Sequence, residues 1–85
     1  GVIEDYYTTQ FLVFPNPAMS IITLGSLNGV TADYKLFTLT GQQMAEGSIA
    51  GSVTLDITKY PKGIYFVLFN DAEGNLLETQ KVVFQ

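Results

Sequence analysis

Six consecutive residues at positions 64–69 are all aromatic or branched aliphatic: Ile64, Tyr65, Phe66, Val67, Leu68 and Phe69. Successive side chains of a strand point to opposite faces, so this run would place three apolar side chains on each face. The run is too short for a typical helix, and its residue types favour strands. The pattern therefore predicts a central strand that is covered on both faces.

Turn residues stand immediately before this run. Pro61 fixes its own φ near the value that the second position of a tight turn requires. Gly63 tolerates the backbone conformation needed at the exit of such a turn. The sequence therefore predicts that the chain turns at residues 60–63 and enters the central strand at Ile64.

A short apolar run at residues 11–14 stops at Pro15-Asn16-Pro17. The two prolines lack backbone donors and hold Asn16 in an extended conformation. A strand bounded in this way belongs at a sheet edge or at a crossing between sheets. We therefore predict a stiff corner after the first strand.

Further strands are predicted from apolar positions separated by turn signals. They cover residues 20–24, 32–39, 42–46, 52–57 and 76–84. The side chains expected to face the core are Ile22, Leu24, Met44, Val53, Leu55 and Ile57. Residues 25–31 and 47–51 are predicted loops, and Gly41 and Gly74 are the expected positive-φ residues of two hairpin turns.

Seven short strands, spaced too closely for crossover helices, predict an all-β fold. The expected architecture is a seven-stranded antiparallel immunoglobulin-like β-sandwich. Residues 11–85 form the domain, and residues 1–10 are expected to be a linker or a poorly ordered start. The chain lacks cysteine and tryptophan, so the Cys-Trp-Cys signature of true immunoglobulin domains is absent.

Composition narrows the possible functions. The chain has 85 residues, no histidine, no cysteine, and a formal net charge of −4. A chain this acidic lacks the positively charged surface that binds the phosphates of nucleic acid. No apolar run approaches the roughly 20 residues that span a bilayer. We expect neither nucleic-acid binding nor direct membrane insertion. The sequence does not indicate an oligomeric state.

The side chains present offer little reactive chemistry. Without histidine or cysteine, the Ser-His-Asp and Cys-His arrangements and the ordinary zinc sites are excluded. A pair of carboxylates could act on a glycosidic bond, but a domain of this size has no room for a walled cleft. We expect no enzymatic activity and no cofactor.

Two ligand sites stay open as minor alternatives. Calcium could bind at the hairpin tip formed by Asn70, Asp71, Glu73 and Asn75, although ordinary turn chemistry explains these residues better. Core packing is the default for the six phenylalanines, whereas an exposed row among the five tyrosines could stack on sugar rings.

Four stretches, in order and at matching spacings, together resemble one known family. They are Phe14-Pro15-Asn16-Pro17-Ala18, Phe37-Thr38-Leu39-Thr40-Gly41-Gln42, Tyr60-Pro61-Lys62-Gly63-Ile64-Tyr65-Phe66-Val67 and Lys81-Val82-Val83-Phe84-Gln85. The pattern resembles the C-terminal sorting domain of type IX secretion cargo, also called the Por secretion system sorting-domain family (type A). Two departures are Tyr60, where relatives more often carry an aliphatic residue, and the single lysine of the last stretch.

The resemblance implies a sandwich fold and an address function. The domain would be the tail of a larger exported protein, which ends at Gln85 and travels through the periplasm to the cell surface or extracellular space. Its implied partners are the outer-membrane translocon of the type IX system and a sortase-like protease. The protease would remove the tail upstream of the first strand, within or near residues 1–10.

The expected recognition residues are those of the signature: Pro15, Asn16, Pro17, Gly41, Gly63, Tyr65, Lys81, Val82, Val83, Phe84 and Gln85. Residues 80–85 would form an edge strand with unpaired backbone groups, to which a translocon component could add a strand. Alternatively, this strand only completes its sheet. For Pro15-Asn16-Pro17, a structural corner is the alternative to a direct contact.

Two other functions remain open from the sequence. The domain could be an immunoglobulin-like accessory module that binds carbohydrate or protein, or a passive stalk of a cell-surface protein. A sorting tail must lie at the end of its parent protein, whereas a stalk would continue into another domain.

Overall fold

Alternating apolar residues fold into seven strands, as the sequence predicts. The structure, a computed structural model, describes residues 10–85. The strands are β1 (Phe11–Phe14), β2 (Ile21–Ser26), β3 (Thr31–Thr38), β4 (Gln43–Ala50), β5 (Ser52–Asp56), β6 (Gly63–Asn70) and β7 (Leu76–Phe84). A single turn of 3₁₀ helix, Leu27–Gly29, joins β2 to β3. Within the described residues, no helix is long and apolar enough to cross a membrane.

The strands form two sheets that pack face to face. One sheet has three strands in the order β1-β2-β5, and the other has four in the order β4-β3-β6-β7. Every pairing between these strands is antiparallel. The predicted all-β, seven-stranded sandwich is confirmed, and β1 lies at a sheet edge as its flanking prolines indicate.

The core lies between the two sheets and contains no buried polar side chain among the described residues. Ile22 and Leu24 are fully buried as predicted, and Ile57 is 2% exposed. Met44, Val53 and Leu55 pack against this core while remaining partly exposed. The rings of Phe11 and Phe69 stack across the two sheets with centroids 4.2 Å apart.

The prediction that residues 64–69 are covered on both faces is wrong. Strand β6 is central in its sheet, and Tyr65, Val67 and Phe69 are buried against the other sheet. On the opposite face, Ile64 is 37% exposed, and Phe66 and Leu68 are half-buried. The reason is the two-layer architecture, which gives each sheet one buried face.

The prediction of a loop at residues 47–51 is also wrong, because β4 continues to Ala50. Gly47 sits within this strand because the ring of Tyr34 lies over it. A Cβ atom at position 47 would stand 2.6 Å from the Tyr34 hydroxyl oxygen. The corner comes later, at Gly51, whose φ is 100°. The predicted loop at 25–31 is likewise shorter, since β2 extends to Ser26.

The turns follow the predicted chemistry, with one shift in position. Gly41 and Gly74 have positive φ values of 94° and 89°. The hydrogen-bonded turn before β6 is formed by Ile57 and Tyr60, whose backbone groups are 3.0 Å apart. It ends before Pro61, and the chain bends again at Tyr60 and Lys62 before β6 begins at Gly63, so the hydrogen-bonded turn lies earlier than residues 60–63.

The hairpin loop between β6 and β7 is organised by one carboxylate. Asp71 accepts hydrogen bonds from the backbone N–H groups of Glu73 and Asn75 and from the Asn75 side chain. The bonds from Asn75 and Glu73 hold the pKa of Asp71 below its usual range. Turn chemistry thus accounts for these residues. In the part of the chain that is described, no three acidic side chains gather as metal ligands would.

Candidate recognition surface

Asn16 joins the corner after β1 to the terminal strand. Its side-chain amide donates a hydrogen bond to the Lys81 carbonyl at 3.1 Å, and its side-chain carbonyl accepts one from the Val83 N–H at 3.0 Å. Both prolines beside it are exposed and form cis peptide bonds with the preceding residue. The amide of Asn16 therefore takes the place that a neighbouring strand would occupy.

Ala18 continues the same contact with its backbone. Its N–H donates to the Val83 carbonyl at 2.8 Å, and its carbonyl accepts from the Gln85 N–H at 2.7 Å. This is a short parallel bridge to β7, and the Ala18 side chain is fully buried there. We call residues 15–18 the capping segment, because together they cover the outer edge of β7 from position 81 to position 85.

The capping segment corrects one expectation about the terminal strand. Strand β7 is an edge strand, as predicted. However, the outward backbone groups at Val83 and Gln85 and the Lys81 carbonyl are already bonded. The prediction of unpaired groups along residues 80–85 is therefore wrong for most of that segment. A partner strand could add there only by displacing the capping segment.

Aromatic stacking anchors the inner face of the same strand end. The Tyr65 and Phe84 rings stack with centroids 4.1 Å apart, and the Tyr60 ring lies 6.5 Å from each of them. The Tyr65 hydroxyl donates a hydrogen bond to the Pro61 carbonyl at 2.6 Å. Burial raises the pKa of Tyr65, with a smaller contribution from Tyr60. The terminal strand is thus fixed on its edge and on its inner face.

Most of the predicted recognition residues meet at this end of the molecule. Gly63 pairs with Phe84 and Tyr65 pairs with Val82 in the β6–β7 ladder. The capping segment adds Pro15, Asn16 and Pro17. Gly41 lies at the same strand end, because Thr38 pairs with Tyr65, but its turn joins β3 to β4 on the side of the sheet away from β7.

Exposed apolar side chains surround the capping segment. Phe14 is 49% exposed and Met19 is 73% exposed, and both prolines are exposed between them. Lys81, whose carbonyl binds Asn16, is also exposed. We call Phe14, Pro15, Pro17 and Met19 the recognition surface. It offers apolar contact area, which suits binding to a protein surface.

Sequence reasoning missed two residues of this site. Ala18 belongs to the signature but is not among the predicted site residues. Its buried side chain holds the capping segment against β7. Tyr60 was noted only as a departure from the family pattern, yet its ring contacts Tyr65 and Phe84. A small residue directly after Pro-Asn-Pro was the available signal for Ala18.

The described tyrosines give no support for a sugar-stacking row. Tyr34 and Tyr65 are buried, and Tyr60 is half-buried in the aromatic cluster. Tyr6 and Tyr7, and the rest of the predicted start at residues 1–9, lie outside the described residues. Gln10 is held in place, since its N–H donates to the Glu78 carboxylate and its carbonyl accepts from Leu27.

Comparison with known proteins identifies the family. A family model described as a secretion system C-terminal sorting domain matches residues 12–85. The chain therefore belongs to this family of type IX secretion sorting domains. No curated protein matches the sequence.

A solved structure confirms the architecture independently. It is a duf3244 family protein with an immunoglobulin-like β-sandwich fold from Bacteroides vulgatus, with a TM-score of 0.72. The similarity covers 89% of this chain and 85% of that one, at 16% sequence identity. At that identity the similarity establishes the fold alone.

Membership of this family indicates the general function of the domain. The domain is a C-terminal sorting signal for type IX secretion, and it interacts with that secretion machinery. Its passenger is exported to the cell surface or extracellular space. Sorting domains with this fold are typically non-catalytic.

Proposed function

We propose that this domain is a folded address that the outer-membrane translocon of the type IX system reads at the recognition surface. The observation that carries the proposal is the capping segment, where the Pro-Asn-Pro part of the family signature meets the terminal strand. Two stretches that lie far apart in the sequence are held together there by hydrogen bonds. Only the folded domain would bring them together, so an unfolded sorting domain would not be recognised.

Recognition would use side chains rather than strand addition. The capping segment already occupies the edge of β7 at positions 81–85, whereas Phe14 and Met19 remain accessible. The backbone of a rigid corner loses little conformational entropy when a partner covers it. The exposed prolines add to this rigidity.

A sortase-like protease would then remove the tail upstream of β1, within residues 1–10. The cut would leave the sandwich intact, because the ladder begins at Phe11. Cleavage is a separate step from recognition, so a tail that is read but not cut would still export its passenger.

The test is a fusion of residues 1–85 to a reporter that carries a periplasmic signal peptide, in a host with the type IX machinery. We expect the fusion to appear at the cell surface or in the medium. The variant Phe14→Ser with Met19→Ser should leave the reporter in the periplasm, because it removes apolar contact area at the surface. Leu76→Ser is the control, since Leu76 is 58% exposed but begins β7, at the end of that strand away from the capping segment.

Periplasmic retention of the unmodified fusion would refute the sorting function. Normal export of the double variant, with an unchanged thermal midpoint, would refute the assigned surface while leaving the sorting function in place. The mass of the exported reporter reports on cleavage separately, because removal within residues 1–10 would reduce it by nearly the whole domain.

A further inference from the structure

Strand β4 presents a row of backbone groups at the other edge of the large sheet. In an antiparallel ladder, alternate residues direct their N–H and C=O groups to the neighbouring strand or away from it. Thr38 N–H donates to the Gln42 carbonyl, so the even-numbered residues of β3 bond toward β4. Their partners in register are Ala45, Gly47 and Ile49. The backbone groups of Glu46, Ser48 and Ala50 therefore point outward.

This edge differs from the two edges on the opposite side of the sandwich. The capping segment covers β7, and the Phe11 carbonyl of β1 accepts a hydrogen bond from the Gln80 side chain at 2.6 Å. Within residues 10–85, no hydrogen bond reaches the backbone of Glu46, Ser48 or Ala50 from outside the sheet, and all three residues are exposed. An uncovered edge of this kind is a template for strand addition.

A cavity lies beside the same edge. It has a volume of about 360 Å³, and its lining includes Asp33 of β3, Ser48 and Ala50 of β4, and Ala72 of the hairpin loop. Small side chains leave this space open, and the Ser48 hydroxyl donates a hydrogen bond to Asp33 at 2.8 Å. When an extended peptide joins a sheet edge, such side-chain pockets provide its specificity.

The charges around the edge indicate what kind of segment fits. Asp33 is exposed beside the cavity, and Glu46 lies on the edge itself. The hairpin loop that contributes Ala72 also carries Asp71 and Glu73. Lys35 stands opposite Glu46 in the ladder. A second copy of the chain would bring these acidic groups together, whereas a cationic segment would neutralise them.

We propose that the β4 edge binds an extended, cationic segment of another protein by strand addition. Backbone hydrogen bonds form at Glu46, Ser48 and Ala50. Lysine or arginine side chains at alternate positions of the segment face Asp33, Asp71 and Glu73. This interaction is distinct from the recognition surface and does not depend on the sorting function.

The probe is an acetylated and amidated heptapeptide of alternating lysine and threonine, titrated into ¹⁵N-labelled protein at low salt. We expect the largest chemical-shift changes at the amides of Glu46, Ser48 and Ala50. We also expect slower hydrogen exchange at Ser48 when the peptide is bound. A glutamate–threonine peptide of the same length should bind at least tenfold more weakly.

Ser48→Pro removes the central outward donor without removing a bond of the internal ladder, and edge strands tolerate such a proline. We expect it to weaken lysine-peptide binding at least tenfold. Ser48→Ala controls for loss of the hydroxyl, and Thr79→Pro controls for a proline on the opposite edge strand. Both controls should bind within twofold of the unmodified chain.

Three results would overturn the proposal. One is the absence of shifts at β4 up to millimolar peptide, and another is equal binding by folded Ser48→Pro. The third is a dimer in sedimentation velocity that Ser48→Pro abolishes, which would assign the edge to a second copy. If Ser48→Pro does not fold, unchanged hydrogen exchange at Ser48 in the unmodified chain with bound peptide overturns it equally well.

Discussion

Asn16 has an unusual position for a residue between two prolines, because both ends of its amide serve another strand. It bonds backbone groups of Lys81 and Val83, which are 65 and 67 residues further along the chain. Without these bonds, one donor and one acceptor on the β7 edge would lose their partners. Asn16 therefore stabilises the corner after β1. It supports the recognition surface only by holding that corner in place.

Replacing Asn16 by Ala should lower the free energy of unfolding by about 1–3 kcal/mol, the range expected when two hydrogen bonds to backbone groups are lost. Urea denaturation followed by circular dichroism measures the change. Asn16→Asp should not retain the stability, because one carboxylate oxygen would accept from the Val83 N–H while the other would face and repel the Lys81 carbonyl oxygen. An Ala variant as stable as the unmodified chain would mean that the two side-chain hydrogen bonds of Asn16 contribute nothing to stability.

Gly63 shows the effect of backbone conformation separately from packing. Its φ is 148°, which L-residues rarely adopt, yet an added Cβ would meet no atom within 4 Å. Gly63→Ala should cost about 1–3 kcal/mol from strain alone. Gly25→Ala is the matched control, because Gly25 has no positive φ and its nearest contact would be a carbonyl at 4.0 Å. Equal thermal midpoints for the two variants would contradict the strain at Gly63.

The ionisation of Asp71 should make the stability of the hairpin loop depend on pH. Its pKa is depressed by the bonds from Asn75 and Glu73, so the ionised form is favoured in the folded state. The stabilisation is fully present above the unfolded pKa of about 3.9 and is lost as the pH falls through the lower folded value. Thermal midpoints between pH 6 and pH 2 should fall less steeply for Asp71→Asn than for the unmodified chain. Parallel profiles would rule out this role of the carboxylate.

Individual strands can be predicted from the sequence wherever apolar and polar residues alternate along them. The cores of β2 and β5 followed directly from residues such as Ile22 and Ile57. The extent of β4 was not predictable, because Gly47 signals a loop in isolation and fits a strand only once the Tyr34 ring covers it. That contact joins positions on neighbouring strands, so no local pattern contains it.

The candidate site shows the same limit. The signature pointed to Pro15-Asn16-Pro17 and to residues 81–85 separately, and the terminal strand was correctly placed at an edge. Nothing in either stretch shows that the first covers the second. Side-chain capping of a distant strand depends on three-dimensional placement, so the sequence alone predicts unpaired groups at the end of β7 that the structure shows to be bonded.

Hydrogen exchange should separate the two edges. The Val83 amide bonds to the Asn16 side chain, whereas the Ser48 amide points outward from β4. In the free domain, we expect the Val83 amide to be protected from exchange and the Ser48 amide to exchange about as fast as an unstructured amide. When a partner is bound, the Ser48 amide should exchange at least tenfold more slowly than an unstructured amide. Asn16→Ala should remove protection at Val83 and leave Ser48 unchanged. Strong protection of Ser48 in the free domain would show that β4 is already covered.

At the scale of the whole molecule, the two sheets depend on one shared core. A domain of 85 residues buries only roughly 60–65% of its extended-chain surface, and its total stability is about 5–15 kcal/mol. The Phe11–Phe69 stack, with nearly parallel rings at 3°, joins the edge strand of one sheet to a central strand of the other. Within residues 10–85 the buried apolar side chains form a single cluster shared by both sheets, so both sheets should unfold together.

Phe11→Ala tests this coupling, since it should cost about 3–5 kcal/mol, a large part of the total stability. Phe14→Ala is the control within the same strand, because Phe14 is 49% exposed and its loss should change stability by less than about 1 kcal/mol. Far-ultraviolet circular dichroism follows the strands, and tyrosine fluorescence follows the cluster around Tyr65. Coincident transitions are expected for both variants. The fluorescence transition of Phe11→Ala could instead stay at its original midpoint while the circular dichroism transition shifts. That result would mean that the four-stranded sheet is stable without the three-stranded sheet. Recognition by the secretion machinery would then not require the whole sandwich.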